Sequence, residues 1–539
     1  MTRSRTVKRS SSGTVKRSSS RTVKRSVAAT VKRSSSGTVK RSVAATAAIS
    51  VVEAAVWAGR QFGDAVLGDE RRTRRACRVA AGMVRQPGAS IPAMCGSEKA
   101  AKAAYRMFAE DDVTLEGLQE PHWRQVRQQA AEVPRVLFIQ DGTLLDYSSH
   151  AATGLAPIGN GRGRGMNLHS VLAVVPPSGE DGVGRVLGLA WQRCWTTNPR
   201  GPLVGAPDAD GSDTGDLWPD AVRIVGAPPG PSDAPAEHRW IHVADRESDN
   251  FLFFDACRGT GVGFVSRLYQ PRKAVRGHDV PLSSVPAQAT SDLLTLARSL
   301  PSTGQTRLFT RSRPTRAPGW RTLQVAWCPV TVPPPRTATS SPPLRCWAIR
   351  VWEDNPKEKD AIEWILLTSE PVTTHEAAME IAGWYGQRWT IEEYHKCLKT
   401  GCRVEERQLE HVERLAPLIG MLAVTAVRLL QLKFESRIHP DAPARDHVPP
   451  EMVEMLVLYR EAQSREPLRE QTARPSRRPP LRAETMTLRQ FWHGVAGLGG
   501  FLGRRRDGDP GWQTLWRGWQ ILDQLLTGAR LERARQKCG

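Results

Sequence analysis

Two short apolar runs, Arg135–Gln140 (RVLFIQ) and Trp240–Ala244 (WIHVA), each give way at once to an aspartate, Asp141 and Asp245. This recurrence constrains the fold more than any other feature of the chain. Runs of this length, rich in β-branched and aromatic residues and bounded by turn chemistry, read as buried strands. Ser170–Pro176 and Val186–Trp195 read the same way, and a helical pattern, Asp249–Arg258, follows the second aspartate. Strands alternating with helices predict an α/β architecture. In such sheets ligands bind outside the carboxyl ends of the strands, and Asp141 and Asp245 are expected there. A lone aspartate after a strand more often caps a turn than takes part in chemistry, so the pair needs support from elsewhere in the chain.

Charge is distributed unevenly. The 5 Lys and 8 Arg of residues 1–50 face no acid in that stretch, so most of the net charge of +21 lies in this segment. The segment repeats Thr-Val-Lys-Arg-Ser from Thr6, Thr14, Thr22, Thr30 and Thr38 with Ser, Gly and Ala spacers. It offers too little apolar surface to offset the entropy of ordering, and residues 1–48 are expected to be disordered. Two readings stand side by side, an electrostatic arm for DNA and a translated simple repeat upstream of the true start. A mildly basic body with a strongly basic arm points to a polyanionic partner, most often nucleic acid. The nine cysteines are scattered without a CxxC pair, which argues against a zinc site or a disulfide framework and for a reducing, cytoplasmic setting. The longest apolar run, Leu415–Val427, contains Pro417 and lies between arginines, so it reads as a buried core helix and no membrane partner is expected.

Composition and pattern divide the chain further. Residues 49–130 read as a helical DNA-binding domain, basic on its faces through Arg71, Arg72, Arg74, Arg75, Arg78, Arg85, Lys99, Lys102 and Arg106, a density that points to phosphate contacts though a solvated face is the plainer reading. The Gly-, Pro- and Asp-rich stretch Thr196–Glu237 reads as a surface insertion. Residues 131–263 and 371–463 are expected to be two parts of one α/β core. Residues 264–370, with strand patterns at Phe264–Tyr269, Leu323–Val332 and Arg345–Val351, read as an inserted β-rich subdomain. A single long helix is expected from Thr374 to Thr400, with Thr373 and Glu376 as a capping box, and further helices from 410 to 435. A Pro- and Arg-rich linker at 464–485 precedes a C-terminal helical domain, 486–539. There Trp512, Trp516, Trp519 and Leu522 or Leu526 recur on one helix face, which reads as a core stripe.

The long helix carries the sharpest signal. Tyr385, Arg388, Glu392 and Lys399 fall at offsets 0, 3, 7 and 14, which on one continuous helix places them on one face in a stripe about 21 Å long. An ordinary amphipathic helix with an Arg388–Glu392 ion pair explains the same spacing. On spacing alone that plainer reading prevails.

The motifs together resemble the insertion-sequence-four group of bacterial cut-and-paste transposases, members of the DDE superfamily. The group's Y-x2-R-x3-E-x6-K signature matches Tyr385, Arg388, Glu392 and Lys399 without a gap. Its D-R-E-x-D motif matches Asp245-Arg246-Glu247-Ser248-Asp249, and the context of its first aspartate matches Gln140-Asp141-Gly142-Thr143 with Leu145-Asp146. The resemblance spans about residues 53–527, including Leu67–Arg75, Gln86–Ser90 and Gly159–Gly163.

The resemblance implies an RNase H-like catalytic core in which Asp141, Asp245 and Glu392 converge as catalytic residues on a pair of Mg²⁺ ions, with Mn²⁺ as a substitute. Hard divalent ions take oxygen ligands, and two of them suit in-line phosphodiester displacement. It further implies phosphate contacts from Arg388, Lys399 and Tyr385, base stacking by Trp364 on a nucleotide flipped from the DNA end, and DNA contacts from Arg246, Arg162 and Arg164. The implied substrates are double-stranded DNA bearing terminal inverted repeats and a target DNA. The implied assembly is a homodimer in the bacterial cytoplasm, paired through the C-terminal domain 486–539, that excises its element through a hairpin intermediate. Trp364 packing beside its strand, Arg246 bridging to Glu247, and the Gly161–Gly165 glycines serving only a turn are the plainer alternatives. Thr196–Glu237 departs from relatives, which carry a longer, more basic helical segment there. A catalytically inactive DNA-binding regulator of the same fold, or a nuclease without transposition, are the competing functions.

Overall fold

The computed structural model describes residues 54–177, 182–196, 217–229, 239–278, 291–310, 319–338, 340–354, 361–465, 482–504 and 507–538. The octapeptide tail, most of Thr196–Glu237 and most of the 464–485 linker lie outside the described residues.

Five helices open the described chain: α1 (Ala54–Phe62), α2 (Glu70–Arg85), α3 (Ile91–Cys95), α4 (Glu98–Phe108) and α5 (Leu115–Ala131). Asp69, Ser90, Ser97 and Thr114 cap α2 to α5, each side chain accepting a backbone N–H of the first turn. Caps of this kind stabilise a helix by about 1 kcal/mol each. On α2 the small and apolar residues Ala76, Val79, Ala80 and Met83 are buried, which turns Arg71, Arg74 and Arg78 outward. Arg72 is committed elsewhere, to Asp112 at 2.7 Å and to Glu110.

The sheet follows: β1 (Arg135–Asp146), β2 (Ala156–Ile158), β3 (Gly163–Val175), β4 (Arg185–Trp195), then α6 (Leu217–Val225), β5 (Arg239–Ala244), α7 (Phe251–Thr260) and β6 (Gly263–Arg267). Next come β7 (Lys273–Arg276), β8 (Ser291–Asp292), α8 (Leu293–Arg298), β9 (Gly304–Thr310), β10 (Gly319–Val332), β11 (Leu344–Glu353) and β12 (Glu363–Thr368). Among the described residues these twelve strands form one sheet ordered β2-β3-β1-β5-β6-β12-β11-β10-β7-β8, with β4 on β3 and β9 on β10. The pairs β1–β5 and β5–β6 are parallel, and the others are antiparallel.

The region 264–370 is therefore not a sheet of its own. An uncovered β6 would present a row of unpaired backbone groups, and β12 closes it with the register Leu366↔Arg267 to Thr368↔Val265. Thr368 Oγ1 seals the joint by donating to the Phe264 carbonyl at 2.7 Å. The insertion continues the core sheet as an antiparallel extension.

The two faces of the core sheet are covered differently. Phe138 and His242, on one face, meet a layer made by α6 and α7, where Trp218 packs on His169 at 4.7 Å and on Phe253 at 6.4 Å. Helix α6 lies inside the stretch read as a surface insertion, yet Trp218, Ala221, Val222 and Val225 are buried. Their i, i+3, i+4, i+7 spacing is a core-facing stripe, and flanking Gly and Pro obscured it. On the opposite face lie α5, α9 (His375–Gly386), α10 (Trp389–Lys396) and α11 (Val412–Ile438). Helix α11 is long and apolar enough to span a membrane by length and composition, but 89% of its most apolar window is buried in the protein. It runs unbroken through Pro417, one helix where several were expected. Helices α12 (Pro450–Arg465), α13 (Leu488–Leu498) and α14 (Trp512–Cys538) complete the chain, with Trp512, Trp516, Trp519, Leu522 and Leu526 all buried.

Candidate active site

The register of β1 against β5 ends at Ile139↔Val243. Side chains alternate along a strand, so the next residues on that same face are Asp141 and Asp245. Parallel pairing thus delivers the two aspartates side by side where β5 stops. Asp245 then caps a short turn, its Oδ1 accepting the Glu247 N–H at 2.9 Å. Asp141 does not end its strand as expected. Antiparallel pairing with β3 carries β1 on from Asp141↔Ser170 to Asp146↔Gly165, which leaves Asp141 mid-strand beside the gap β5 vacates. Behind it, on the other face, buried Gln140 bonds His242 at 2.7 Å and His169 at 3.2 Å. Burial lowers both imidazoles to about 3, so they are neutral anchors for the strand.

The expected continuous helix from 374 to 400 is broken twice. Thr374, not Thr373, caps α9, and its side chain accepts from Ala377 N. The helix ends at Gly386, turns at Gln387–Arg388, resumes as α10 and widens into a π turn over Cys397–Gly401. The single stripe is therefore divided. Tyr385 stays on α9, buried, with its ring edge-to-face on Trp364 at 5.2 Å. Lys399 rides on the π turn and reaches back to β1, donating to the Leu144 carbonyl at 2.6 Å and pairing with Glu405 at 3.2 Å. Turns of this kind inside helices recur at functional sites.

Helix α10 is held onto the sheet by Tyr394. The Gln192 amide donates to the Tyr394 hydroxyl at 2.8 Å and to Ser170 Oγ at 2.9 Å, and Ser170 is the cross-strand partner of Asp141. Seated there, α10 places Glu392 in its first turn, and Arg388 at the bend links the two acids. Its guanidinium donates to Glu392 Oε1 at 2.5 Å and lies 3.5 Å from Asp141 Oδ2.

Burial first, then the charge of Asp245, push the Asp141 carboxyl up to about 7, against the pull of Arg388, and Glu392 adds to the rise. Burial works against the Arg388 cation, but Tyr385, Glu392 and Asp141 hold it above the ordinary arginine value. Asp141, Asp245 and Glu392 are thus electrostatic neighbours, short of positive charge. They do not close on one point as expected: among the described residues, no three His, Cys, Asp or Glu side chains are near enough to hold one metal ion. Like charges repel, and the Arg388 fork lies between two of the three acids. The donor set is nonetheless what a hard divalent cation takes, and the raised Asp141 marks the charge such an ion would supply.

The remaining expected residues scatter around this centre. Arg246 is exposed with its guanidinium over the Tyr269 ring at 5.4 Å, rather than bridged to Glu247. Asp249, which closes the D-R-E-x-D motif, is structural: it is buried, accepts the N–H groups of Tyr269 and Gln270 at 2.6 and 2.7 Å, and pairs with Arg272. Arg162 and Arg164 are exposed at the start of β3, where Asn160 and Ser148 side chains accept their backbone N–H groups at 3.2 and 2.9 Å. Trp364 is half-buried on β12 opposite Val351. Ser170, Gln192 and Tyr394, which seat α10, carried no sequence signal, because each belongs to a different element and no motif joins them.

Three family models match the chain. Residues 54–113 match a transposase DNA-binding domain, residues 236–427 a transposase DDE domain, and residues 466–539 a Tn5 transposase dimerisation domain. Transposase DNA-binding, DDE and dimerisation domains thus lie on one chain. The DDE match contains Asp245 and Glu392 and begins beyond Asp141, which joins them through the β1–β5 register. Domains of this class imply an RNase H-like core and generally use divalent metal ions, and the outer two domains bring DNA binding and oligomerisation to the same chain.

Proposed function

We propose that this transposase belongs to the insertion-sequence-four group and moves its element by a cut-and-paste route, cleaving transposon-end DNA and joining it to a target through a hairpin intermediate. The observation that carries the reading is the charge coupling of Asp141 with Asp245 and Glu392 across three separate elements. Asp141, Asp245 and Glu392 would hold Mg²⁺, with Mn²⁺ able to replace it. Bound there, the metal would activate the attacking oxygen and stabilise the leaving one.

The chain's own groups have distinct tasks in this reading. Arg388 leaves its carboxylates for a backbone phosphate, where its planar fork engages two oxygens. Lys399, fixed to the far end of β1, adds a point charge along the same strand. Arg162, Arg164 and Arg246 extend the basic track over exposed surface. Tyr385, buried with its ring edge-to-face on Trp364, orients that indole, and its hydroxyl would donate to a nearby phosphate oxygen. Trp364 offers a face to a base extruded at the hairpin, an interaction of roughly 1–3 kcal/mol. Inverted repeats at the element's ends, recognised by a homodimer, complete the proposal.

The test uses a supercoiled plasmid carrying the DNA from both flanks of the coding region, with Mg²⁺. Wild-type protein is expected to excise and integrate the segment, and Glu392→Gln to bind the DNA without cutting it. Cleavage by Glu392→Gln at the wild-type rate would sink the assignment. Cutting without joining by the wild type would instead indicate a nuclease, and binding alone a regulator.

A further inference from the structure

Helix α10 is only eight residues long and lies between two backbone irregularities, the bend at Gln387–Arg388 and the π turn from Cys397. Neither end continues into regular helix, so its position depends on side-chain tethers. Tyr394 ties it to the sheet. A second tether runs to α11: Glu393, adjacent to Glu392, accepts a hydrogen bond from Lys433 of that helix at 2.5 Å. Both side chains are almost fully withdrawn from water, at 6% and 9% exposure. The Lys433 ammonium also sits 4.3 Å from the ring centre of Trp512, the first residue of α14. Burial draws the Lys433 pKa down to about 8 even beside Glu393, a sign of how dry its surroundings are.

The same C-terminal helix reaches the other end of this segment. Trp516, one turn after Trp512, packs so closely on Gly401 that a methyl group there would overlap its indole. Gly401 closes the π turn that carries Lys399. Thus α14 touches both the tether of Glu392 and the support of Lys399.

Resting on the catalytic reading above, we propose that Lys433 is a positioning residue for α10: it fixes Glu392 through Glu393, and Trp512 makes that fixing depend on the seating of the C-terminal helix. Removing one member of a buried ion pair leaves the other charge uncompensated, whereas removing both relieves it. A displacement of about 1 Å at a catalytic carboxylate is enough to slow a reaction by about a hundredfold.

The experiment compares full-length wild type, Lys433→Met, Glu393→Gln, the double variant, Lys433→Arg and Trp512→Leu. Each is assayed for single-turnover cleavage of the flank-bearing plasmid DNA, for affinity toward the same DNA, and for thermal stability. Lys433→Met is expected to cut about 10- to 100-fold more slowly with unchanged DNA affinity. The double variant is expected to recover part of that loss, and Lys433→Arg to retain more activity than Lys433→Met. Wild-type cleavage by Lys433→Met overturns the proposal, as does equal damage from Lys433→Arg and Lys433→Met in folded proteins. Should Lys433→Met not fold, Trp512→Leu decides alone, since it leaves both charges in place: slower cutting with intact binding supports the proposal, and unchanged cutting refutes it. Glu392→Gln is run alongside. If that variant cuts normally, the catalytic reading itself has failed, and if it is dead while Lys433→Met is unaffected, only the role of Lys433 falls.

Discussion

Replacing Asp141 by Asn tests the charge imbalance at the centre of the site. Its carboxyl is raised from 3.8 to about 7 by burial and by Asp245. A carboxyl whose folded pKa lies above its unfolded value stabilises the fold fully below 3.8 and loses that contribution as pH rises through about 7. At about 1.36 kcal/mol per unit, the carboxyl costs the fold about 2 kcal/mol at pH 5, where it must stay protonated, and about 4 kcal/mol at pH 8.5, where it is ionised. Asparagine resembles the neutral acid in shape and keeps an oxygen for the Gly142 N–H, which Asp141 Oδ1 accepts at 2.9 Å. Metal-free Asp141→Asn should therefore be more stable than wild type, by a margin that grows by about 2–3 kcal/mol between pH 5 and 8.5. Unfolding entropies of about 2.1 cal/mol/K per residue give roughly 1 kcal/mol/K for a unit of several hundred residues, so the gap in melting temperature should widen by about 2–3 °C. Millimolar Mg²⁺ should raise the wild-type melting temperature more at pH 8.5 than at pH 5, because the cation competes with the proton, and should do little for the variant. Scanning calorimetry of both proteins at the two pH values, with and without Mg²⁺, measures all of this. A wild-type-to-variant gap that does not change with pH refutes the reasoning.

Two further substitutions probe the surroundings. Trp364→Ala removes the edge-to-face contact with Tyr385 and should cost about 0.5–1.5 kcal/mol in denaturant unfolding; it should reduce hairpin formation roughly tenfold or more while leaving the first nick intact, and normal hairpin yield on a gel would remove the stacking role. Gly401→Ala forces a methyl group into the Trp516 indole and should destabilise the fold by about 1–3 kcal/mol, so an unchanged urea midpoint would show that α14 does not press on the π turn as described.

The strands were legible because each is short, apolar and sharply bounded, as in Arg135–Gln140 and Trp240–Ala244, and the structure extends them without moving them. What the sequence could not show is pairing. The insertion's strands carry the same local pattern whether they form a separate sheet or continue an existing one, and the free edge of β6 decides between these. The helix signature misled for a related reason. Nothing local in Trp384–Cys402 forbids a continuous helix. The breaks at Gln387–Arg388 and Cys397–Gly401 accompany the seating of Tyr394 on Gln192 of β4 while Lys399 reaches Leu144 on β1. Likewise Asp245 and Asp249 look alike within one motif, and only burial and the Arg272 pair assign the second to structure.

The closed position of Arg388 also bears on the order of events. Asp141, Asp245 and Glu392, when ionised, carry a formal charge of −3, and Arg388 reduces it to −2. A DNA phosphate brought to the site as it stands would meet net repulsion in a poorly hydrated setting, where charges interact more strongly than in water. Positive charge must therefore reach the three acids before, or together with, the scissile phosphate. Two divalent cations and one phosphate would then balance the three carboxylates without Arg388, so the cation best placed to leave is the guanidinium at the bend. Its nearest new partner would be the DNA backbone. In the proposed reading Arg388 would thus have two sets of partners with the same chemistry, the carboxylates of Asp141 and Glu392 that it holds here and a phosphate in the complex, and exchanging them would couple the arrival of DNA to the opening of the site.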